Sequence, residues 1–466
     1  MRITILLQIT GDDGVCRPAE EVAAFDKSSE RTEDLGLSLR EGKALLATVQ
    51  DRTVKAQAEA WFQRHRRCPA CSTQRCIKGY YPAVFHTLYG DIVLDSPRLY
   101  RCVCQADLGS VTVSPLQELV AHGIAPERLY LESRWASLVS YGAAAGLLAD
   151  VLPITAGLNA TTVRQHTLKV AERAEAELAE EQPCFIDGDE NEWAALPNPQ
   201  GRIVVGLDGG YVRNWDERKC NFELIVGRSV PEDQGPRYLG LTHGYDRKPK
   251  RRLFEVLKSQ GLQANQEVTF LTDGGDEVRA LTELVTPAAE HVLDWFHITM
   301  RLTVLGQYVR GVAQADESAG NGLSAMLERI KWWLWHCNSH QAEQAIEAFE
   351  ADIDALEVDY ANLGKLVRAA HEFAGYIRHN TASLINYGER YRSGEPISSS
   401  IAESTVNVVI SKRFAKRQQM QWTKRGAHLL LQTRTRALDG TLRPLFERWY
   451  PGLANDNSIE AQRAAA

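Results

Sequence analysis

FLTDGGDEVRAL, spanning Phe270 to Leu281, ends an apolar run in a bare aspartate followed by two glycines. Val268, Phe270 and Leu271 among polar neighbours predict a short buried strand, and Gly274 and Gly275 let the chain turn away from Asp273. The aspartate then sits at a strand's carboxyl end, the edge where open α/β sheets bind ligands. RIVVGLDGGYVR (202–213) repeats the context, with Asp208 closing an apolar run before Gly209 and Gly210. A helix-cap or turn role explains one such aspartate well and two less well. On neighbouring strands the two carboxylates converge, giving hard oxygen ligands suited to Mg²⁺ or Mn²⁺.

Outward from these runs the texture is βββαβαβ. RIVVGLDGGYVR, NFELIVGRSV and RYLGLTHGY read as strands, KRRLFEVLKSQG as a helix, EVTFLTDG as a strand, DEVRALTELV as a helix and AEHVLDWFH as a strand. That order is the order of the ribonuclease H-like fold, in which the first and fourth strands are neighbours; this step is an analogy of fold. Residues 201–297 form the first part of that core, and 298–395 read as an all-helical insertion. Within it Trp332, Trp333 and Trp335 are expected as core rather than as base-stacking wedges. Residues 396–450 return as helices, broken near Gln421. Two carboxylates leave a metal pair short of ligands, and Glu403, near the start of a helix opened by serines, is the expected third acid.

The 466 residues exceed one core and predict several domains. With 44% apolar and 24% charged residues the chain is ordinary globular. No apolar run approaches the roughly 20 residues of a membrane helix, and MRITILLQITGDD reads as a first strand rather than a signal peptide, so a cytoplasmic protein is expected. The net charge of −7 hides an asymmetry. RKPKRR (247–252) and the stretch 411–438 are basic, and 172–192 is acidic; the basic stretches suit either a polyanion or a solvated helix face.

Residues 1–60 combine the strand with a helix and lead into 61–112, where five of nine cysteines cluster. Cys68 and Cys71 form a CxxC, and Cys102 and Cys104 a CxC, with a predicted hairpin between. Two close pairs on a hairpin suit tetrahedral Zn²⁺ in a zinc-ribbon-like segment. Cys76 is an alternative ligand, and reduced cysteines without metal are the other reading. In 113–182, ERLYLESRWASLVSYGAAAGLLADVL predicts one helix, PITAGLN a turn and ATTVRQHTLKVAERAEAELAEE a second helix. This suits a helix-turn-helix presenting Thr162, Arg164, Gln165 and Lys169 to DNA, or a plain helical hairpin. Residues 183–200 read as an acidic linker and 451–466 as a tail.

GLDGGYV, LTDGGDEV, LDWFHI with Asp294 and His297, and IAESTVN followed by KRQQMQWTKRGAHLLLQTRTRAL resemble bacterial insertion-sequence DDE transposases. The likeness is to the ISKra-type family and, more distantly, the Mutator-like group; it spans most of the chain. The resemblance implies that Asp208, Asp273 and Glu403 are an acidic triad holding two Mg²⁺ or Mn²⁺ ions, Asp208 bridging them. It further implies that Asp294 and His297 match a [C/D]xxH signature, with His297 orienting a phosphate or water, or simply packing beside the site. The expected activity is metal-dependent cleavage of element ends followed by strand transfer. Lys412, Arg413, Lys416, Arg417, Lys424 and Arg425, close after Glu403, would bind phosphates without reading sequence. Double-stranded DNA is the expected partner, of a nucleoid-associated homo-oligomer. Two rivals remain: a ribonuclease H-like nuclease that only hydrolyses, and a zinc-containing DNA-binding regulator.

Overall fold

The computed structural model describes residues 1–454 apart from 12–13, 29, 105–111, 155–156, 200, 284, 399 and 415–419. It is a mixed α/β chain in two compact units, Met1–Val170 with Gly440–Ala466, and Ala171–Asp439. The sequence reading kept 396–450 together, whereas the last helix belongs with the first unit.

In the first unit, β1 (Arg2–Leu7) pairs antiparallel with β2 (Glu20–Asp26). Helix α1 (Leu39–His65) follows, started by a reciprocal cap in which Ser38 and Glu41 each accept the other's backbone N–H. β3 (Ile77–Thr87) and β4 (Gly90–Tyr100) form the expected hairpin, and β5 (Thr112–Val113) adds to its edge. Ala58, Ile92, Leu94 and Leu116, the last on α2 (Pro115–Leu119), form the core between hairpin and helices.

The region predicted as one helix before Pro153 is two. α3 (Pro126–Leu138) stops where Val139 turns extended, and Ser140 caps α4 (Tyr141–Val151). α5 (Ala160–Ala176) then packs its Val163 against Ala136, Ala144 and Ala145. Fully buried Glu132 ties α3 to α5, accepting from Arg128 at 2.9 Å and pairing with His166 at 2.6 Å. The acidic linker contains one helical turn, α6 (Glu190–Ala194), capped by Asp189.

The second unit is built on the predicted βββαβαβ run: β6 (Ile203–Asn214), β7 (Asn221–Pro231), β8 (Arg237–Thr242), α7 (Pro249–Ser259), β9 (Val268–Thr272), α8 (Asp276–Thr282) and β10 (Ala289–Leu293). Its sheet has the order β10-β9-β6-β7-β8, so the first and fourth strands are neighbours. β6, β7 and β8 are antiparallel, while β9 and β10 run parallel to β6. One face, with Val205, Leu207, Ile225 and Phe270, buries against Leu253, Leu257, Val278 and Leu281 of α7 and α8.

The helices α9 (Trp295–Ala315), α10 (Glu317–Trp335), α11 (Ser339–Asp354), α12 (Leu363–His379) and α13 (Tyr387–Arg392) make one apolar core. That core continues into Leu271, Val292 and Leu293 of the sheet. The chain then returns as α14 (Ser400–Thr405), a π-helical stretch (406–411) and α15 (Lys412–Phe414). The break near Gln421 is a strand, β11 (Gln421–Trp422), paired parallel with Arg213 and Asn214 of β6. α16 (Lys424–Leu438) and α17 (Leu442–Trp449) follow.

Candidate functional site

β6 and β9 pair in parallel from Ile203↔Val268 to Gly206↔Leu271. Continued two residues, that register sets Asp208 beside Asp273. Leu293 pairs with Thr272, and the Asp294 N–H donates to the Thr272 carbonyl at 2.9 Å, which adds Asp294 to the same edge. Side chains alternate along a strand, so Asp208 shares its face with Gly206 and Gly210. A Cβ at Gly206 would lie 3.1 Å from the Ala402 nitrogen, and one at Gly210 would lie 2.8 Å from Ile410 Cδ1. The helical stretch carrying Glu403 therefore crosses this face directly over Asp208.

Asp208 corrects one expectation: it lies within β6 rather than at its end. Gly209 and Gly210 continue the ladder opposite Ile225 and Leu224 instead of turning. A Cβ on Gly209 would collide with Glu223 Oε1 at 2.3 Å, so both glycines serve close approach across the strand. Gly274 does turn the chain, at φ +83°, pressed against Asn380 and Leu293.

Burial pushes the Asp208 carboxyl up to about 6; the Gly209 N–H, donating at 2.7 Å, opposes this, and the Asp273 charge adds to it. Asp294, fully buried, caps α9 by accepting from Phe296 N–H at 2.9 Å and pairs with His297 Nδ1 at 2.7 Å. That hydrogen bond raises the His297 pKa against its own burial, and the charges of Asp294, Asp208 and Asp273 act the same way. Three carboxylates and one imidazole thus share the edge. Glu403 is exposed on α14, and Asp208, Asp273 and Glu403 do not form a tight donor set among the described residues.

Sequence reading missed the residues that reach this edge from elsewhere. Arg301, one helical turn after His297, lies over the Tyr376 ring, 4.1 Å from its centroid. Burial pushes the Tyr376 hydroxyl up, Arg301 opposes, and Asp273 and Asp294 add to the rise. Arg301 and Tyr376 are joined only through the fold, so nothing local marks them. Glu223 had a local signal, a charge inside the apolar NFELIVG; burial raises its pKa.

The cysteine cluster is a second centre. Cys68, Cys71, Cys102 and Cys104 have sulfur atoms all within 4.8 Å of one another and can hold a metal ion such as zinc. Sulfur–sulfur distances are 3.6 Å for Cys68–Cys104 and 3.4 Å for both Cys71–Cys102 and Cys71–Cys104. Ser72, at φ +58°, makes the tight turn just after the first pair, its N–H donating to the Cys68 carbonyl at 2.8 Å. Hydrogen bonding to Thr73 pulls the Cys71 thiol down to about 6, while crowding by Cys71, Cys102 and Cys68 pushes Cys104 up to about 12. Four thiolates this close need a cation, which is the chemistry of a zinc site. Cys76 lies outside the four.

The basic residues divide. Arg164 and Lys169 are exposed on α5, and Lys412 is exposed at the start of α15. Arg413 is 2% exposed, 5.2 Å over the Trp422 ring, which withdraws it from the surface role expected of it. Lys424 is half-buried, and exposed Arg425 is paired with Glu172. Lys416 and Arg417 lie outside the described residues. Trp332 is exposed rather than core. No helix among the described residues is long and apolar enough to cross a membrane. Compared with protein-family models and with curated proteins, the chain matches none.

Proposed function

We propose that this protein is a DDE transposase that cleaves DNA at the ends of a mobile element and joins those ends to target DNA. The observation that carries this reading is the convergence of Asp208, Asp273 and the Asp294–His297 pair at the carboxyl edge of the parallel strands. We read the sheet as ribonuclease H-like, on its βββαβαβ order with the first and fourth strands adjacent.

Asp208 and Asp273 offer the hard oxygens that Mg²⁺ or Mn²⁺ takes, and the Asp208 carboxyl, raised by burial and by Asp273, is a site where added positive charge is favoured, although the three acids are not drawn into a tight set in this structure. Asp208 and Asp273 would hold the ions, with Glu403 reaching them from α14. When bound, the metal pair supplies charge neutralisation at the attacking and leaving oxygens. His297, oriented by the contact of its Nδ1 with Asp294 and with its pKa raised by that partner, would present Nε2 to a non-bridging phosphate oxygen and hold the phosphodiester in line. Water attacks phosphorus at the element end, one P–O bond breaks, and a 3′-hydroxyl is released. That hydroxyl then attacks a target phosphodiester, forming one P–O bond and breaking another. Arg164, Lys169 and Lys412 remain as exposed phosphate contacts on duplex DNA.

The test is a strand-transfer assay with the full chain, Mn²⁺ and a labelled duplex carrying the DNA that flanks this gene. Joined product from the wild type and a loss of more than about a hundredfold in Asp208→Asn and Asp273→Asn is the expected result. Cutting without joining would favour a hydrolytic nuclease. Equal DNA binding by all three proteins, with neither cutting nor joining, would overturn the enzyme reading in favour of a DNA-binding regulator.

A further inference from the structure

α9 leaves the acidic edge at Asp294, and α12 returns to it at Asn380. Asn380 is pressed on the turn that follows Asp273: a Cβ at Gly274 would lie 2.6 Å from its Oδ1. One helical turn before Asn380, the Tyr376 hydroxyl feels the charges of both Asp273 and Asp294. Arg301 reaches the same place from α9, its guanidinium carbon 4.1 Å from the centre of the Tyr376 ring. The two helices thus set a half-buried cation beside the carboxylates.

That cation has no carboxylate partner among the described residues, whereas Arg279, Arg378 and Arg390 around it pair with Asp276, Glu350 and Glu290. A ring face holds Arg301 instead, which fixes the guanidinium by attraction to the π-cloud and leaves its in-plane N–H fork able to meet an anion. The approach is open: Phe296, Met300 and Val304 on this side of α9 are exposed, while Ile298, Leu302 and Leu305 fill the core. A planar fork of N–H donors matches the paired non-bridging oxygens of a phosphate. We propose that Arg301 grips the phosphate next to the scissile one on the strand being cleaved. The inference rests on the phosphodiester-cleaving reading of the acidic edge. In that reading His297 faces the scissile phosphate, and Arg301 lies four residues on along the same helix face, about one turn of 5.4 Å, so the two side chains address successive phosphates. A DNA backbone crossing the edge is repelled by its carboxylates, and Arg301 offsets part of that repulsion.

The experiment uses the full chain, Mn²⁺ and duplexes of the DNA that flanks this gene, each with one phosphate near the cut replaced by an uncharged methylphosphonate. Cleavage rates and dissociation constants are measured for the wild type, Arg301→Ala and Arg301→Lys. In the wild type, the substitution beside the cut should slow cleavage on the order of tenfold. Arg301→Ala should be slower by a similar factor on unmodified DNA and lose nothing further to that methylphosphonate, while staying as sensitive as the wild type to the others. Arg301→Lys, which keeps the charge without the fork, should fall between the two. A role in folding alone would slow Arg301→Ala equally on every duplex. Wild-type cutting with losses that multiply at every position therefore sinks the Arg301 contact and spares the reading of the edge. If the wild type binds but does not cut, the reading of the edge falls. The same comparison on dissociation constants then decides the contact, which stands only if one methylphosphonate costs the wild type affinity and costs Arg301→Ala none.

Discussion

Glu175 is where the acidic and basic stretches of this chain meet. Its carboxylate accepts from both terminal nitrogens of Arg252 at 2.8 Å and faces His428 Nε2 at 3.2 Å. Arg252 is buried and also donates to Asp246 and Gln432. Nearby, Lys248 pairs with Glu180, and the Arg251 N–H donates to Glu181. The RKPKRR stretch that suggested a polyanion site is thus neutralised in part by the protein's own acidic stretch. Burial alone would raise the Glu175 carboxyl, but the hydrogen bonds from His428 and Arg252 reverse this and bring it to about 2. A depressed carboxyl stabilises the fold above its unfolded value of 4.5, and that contribution is lost as pH falls through about 2. Glu175→Gln is therefore expected to cost about 2 kcal/mol near neutral pH. The gap to wild type should close on acidification, as read by urea denaturation in steps between neutral pH and about pH 2. A gap that stays constant with pH would mean that Glu175 acts by packing alone.

At the scale of elements, the contact between β6 and α14 sets how closely the helix carrying Glu403 approaches the strand carrying Asp208. The face of β6 is lowered by glycine at 206 and 210, and Ala402 and Ile410 sit in the space this leaves. The helix widens to π geometry over 406–411, and Arg434 donates to the carbonyls of Val408 and Val409 there. Gly206→Val should push α14, and Glu403 with it, away from Asp208. A stability loss of about 1–3 kcal/mol is expected from overpacking, together with a loss on the order of tenfold or more of the strand transfer proposed above. Gly146→Ala, a helix position with nothing within 4 Å, is the control: it should leave strand transfer unchanged and raise stability by about 0.5–1 kcal/mol. Strand transfer that survives Gly206→Val would remove Glu403 from the working site. This element also shows where local reading fails. The pattern LDGG reads as a strand end at both aspartates. At Asp273 the chain does turn, while at Asp208 pairing with β7 carries the strand through Asn214. Two glycines permit either outcome, and only the partner strand selects one.

For the whole molecule, each of the two units has its own chemistry, four clustered thiols in one and the carboxylate edge in the other. The hairpin β3–β4 follows the first cysteine pair and precedes the second, and its Ile92 and Leu94 pack with Ala58 and Leu116. Metal bound at the thiols should therefore be coupled to the stability of that packing. The purified chain is expected to carry about one zinc, lost in Cys71→Ser. Stripping the zinc should raise hydrogen exchange in α1, β3 and β4 while leaving β6, β9 and β10 protected, as measured by exchange mass spectrometry. Exchange that rises equally in all of these elements would contradict a division into two units.

Alternation and turn chemistry are local, which is why the βββαβαβ run, the cysteine hairpin and the aspartate-bearing strands could be read from the chain alone. So could the helical insertion, because its apolar positions recur at helical spacing. Charge partners are not local. The burial of Arg413, the pairing of Arg252 with Glu175, the approach of Arg301 to Tyr376 and the exposure of Trp332 each depend on which distant segment arrives alongside. The same holds for the acids: sequence marked Asp208, Asp273, Asp294 and Glu403 as candidates. Which of them share an edge was decided by strand register and by a helix lying across glycines, because electrostatic interaction depends on distance in space and not on separation along the chain.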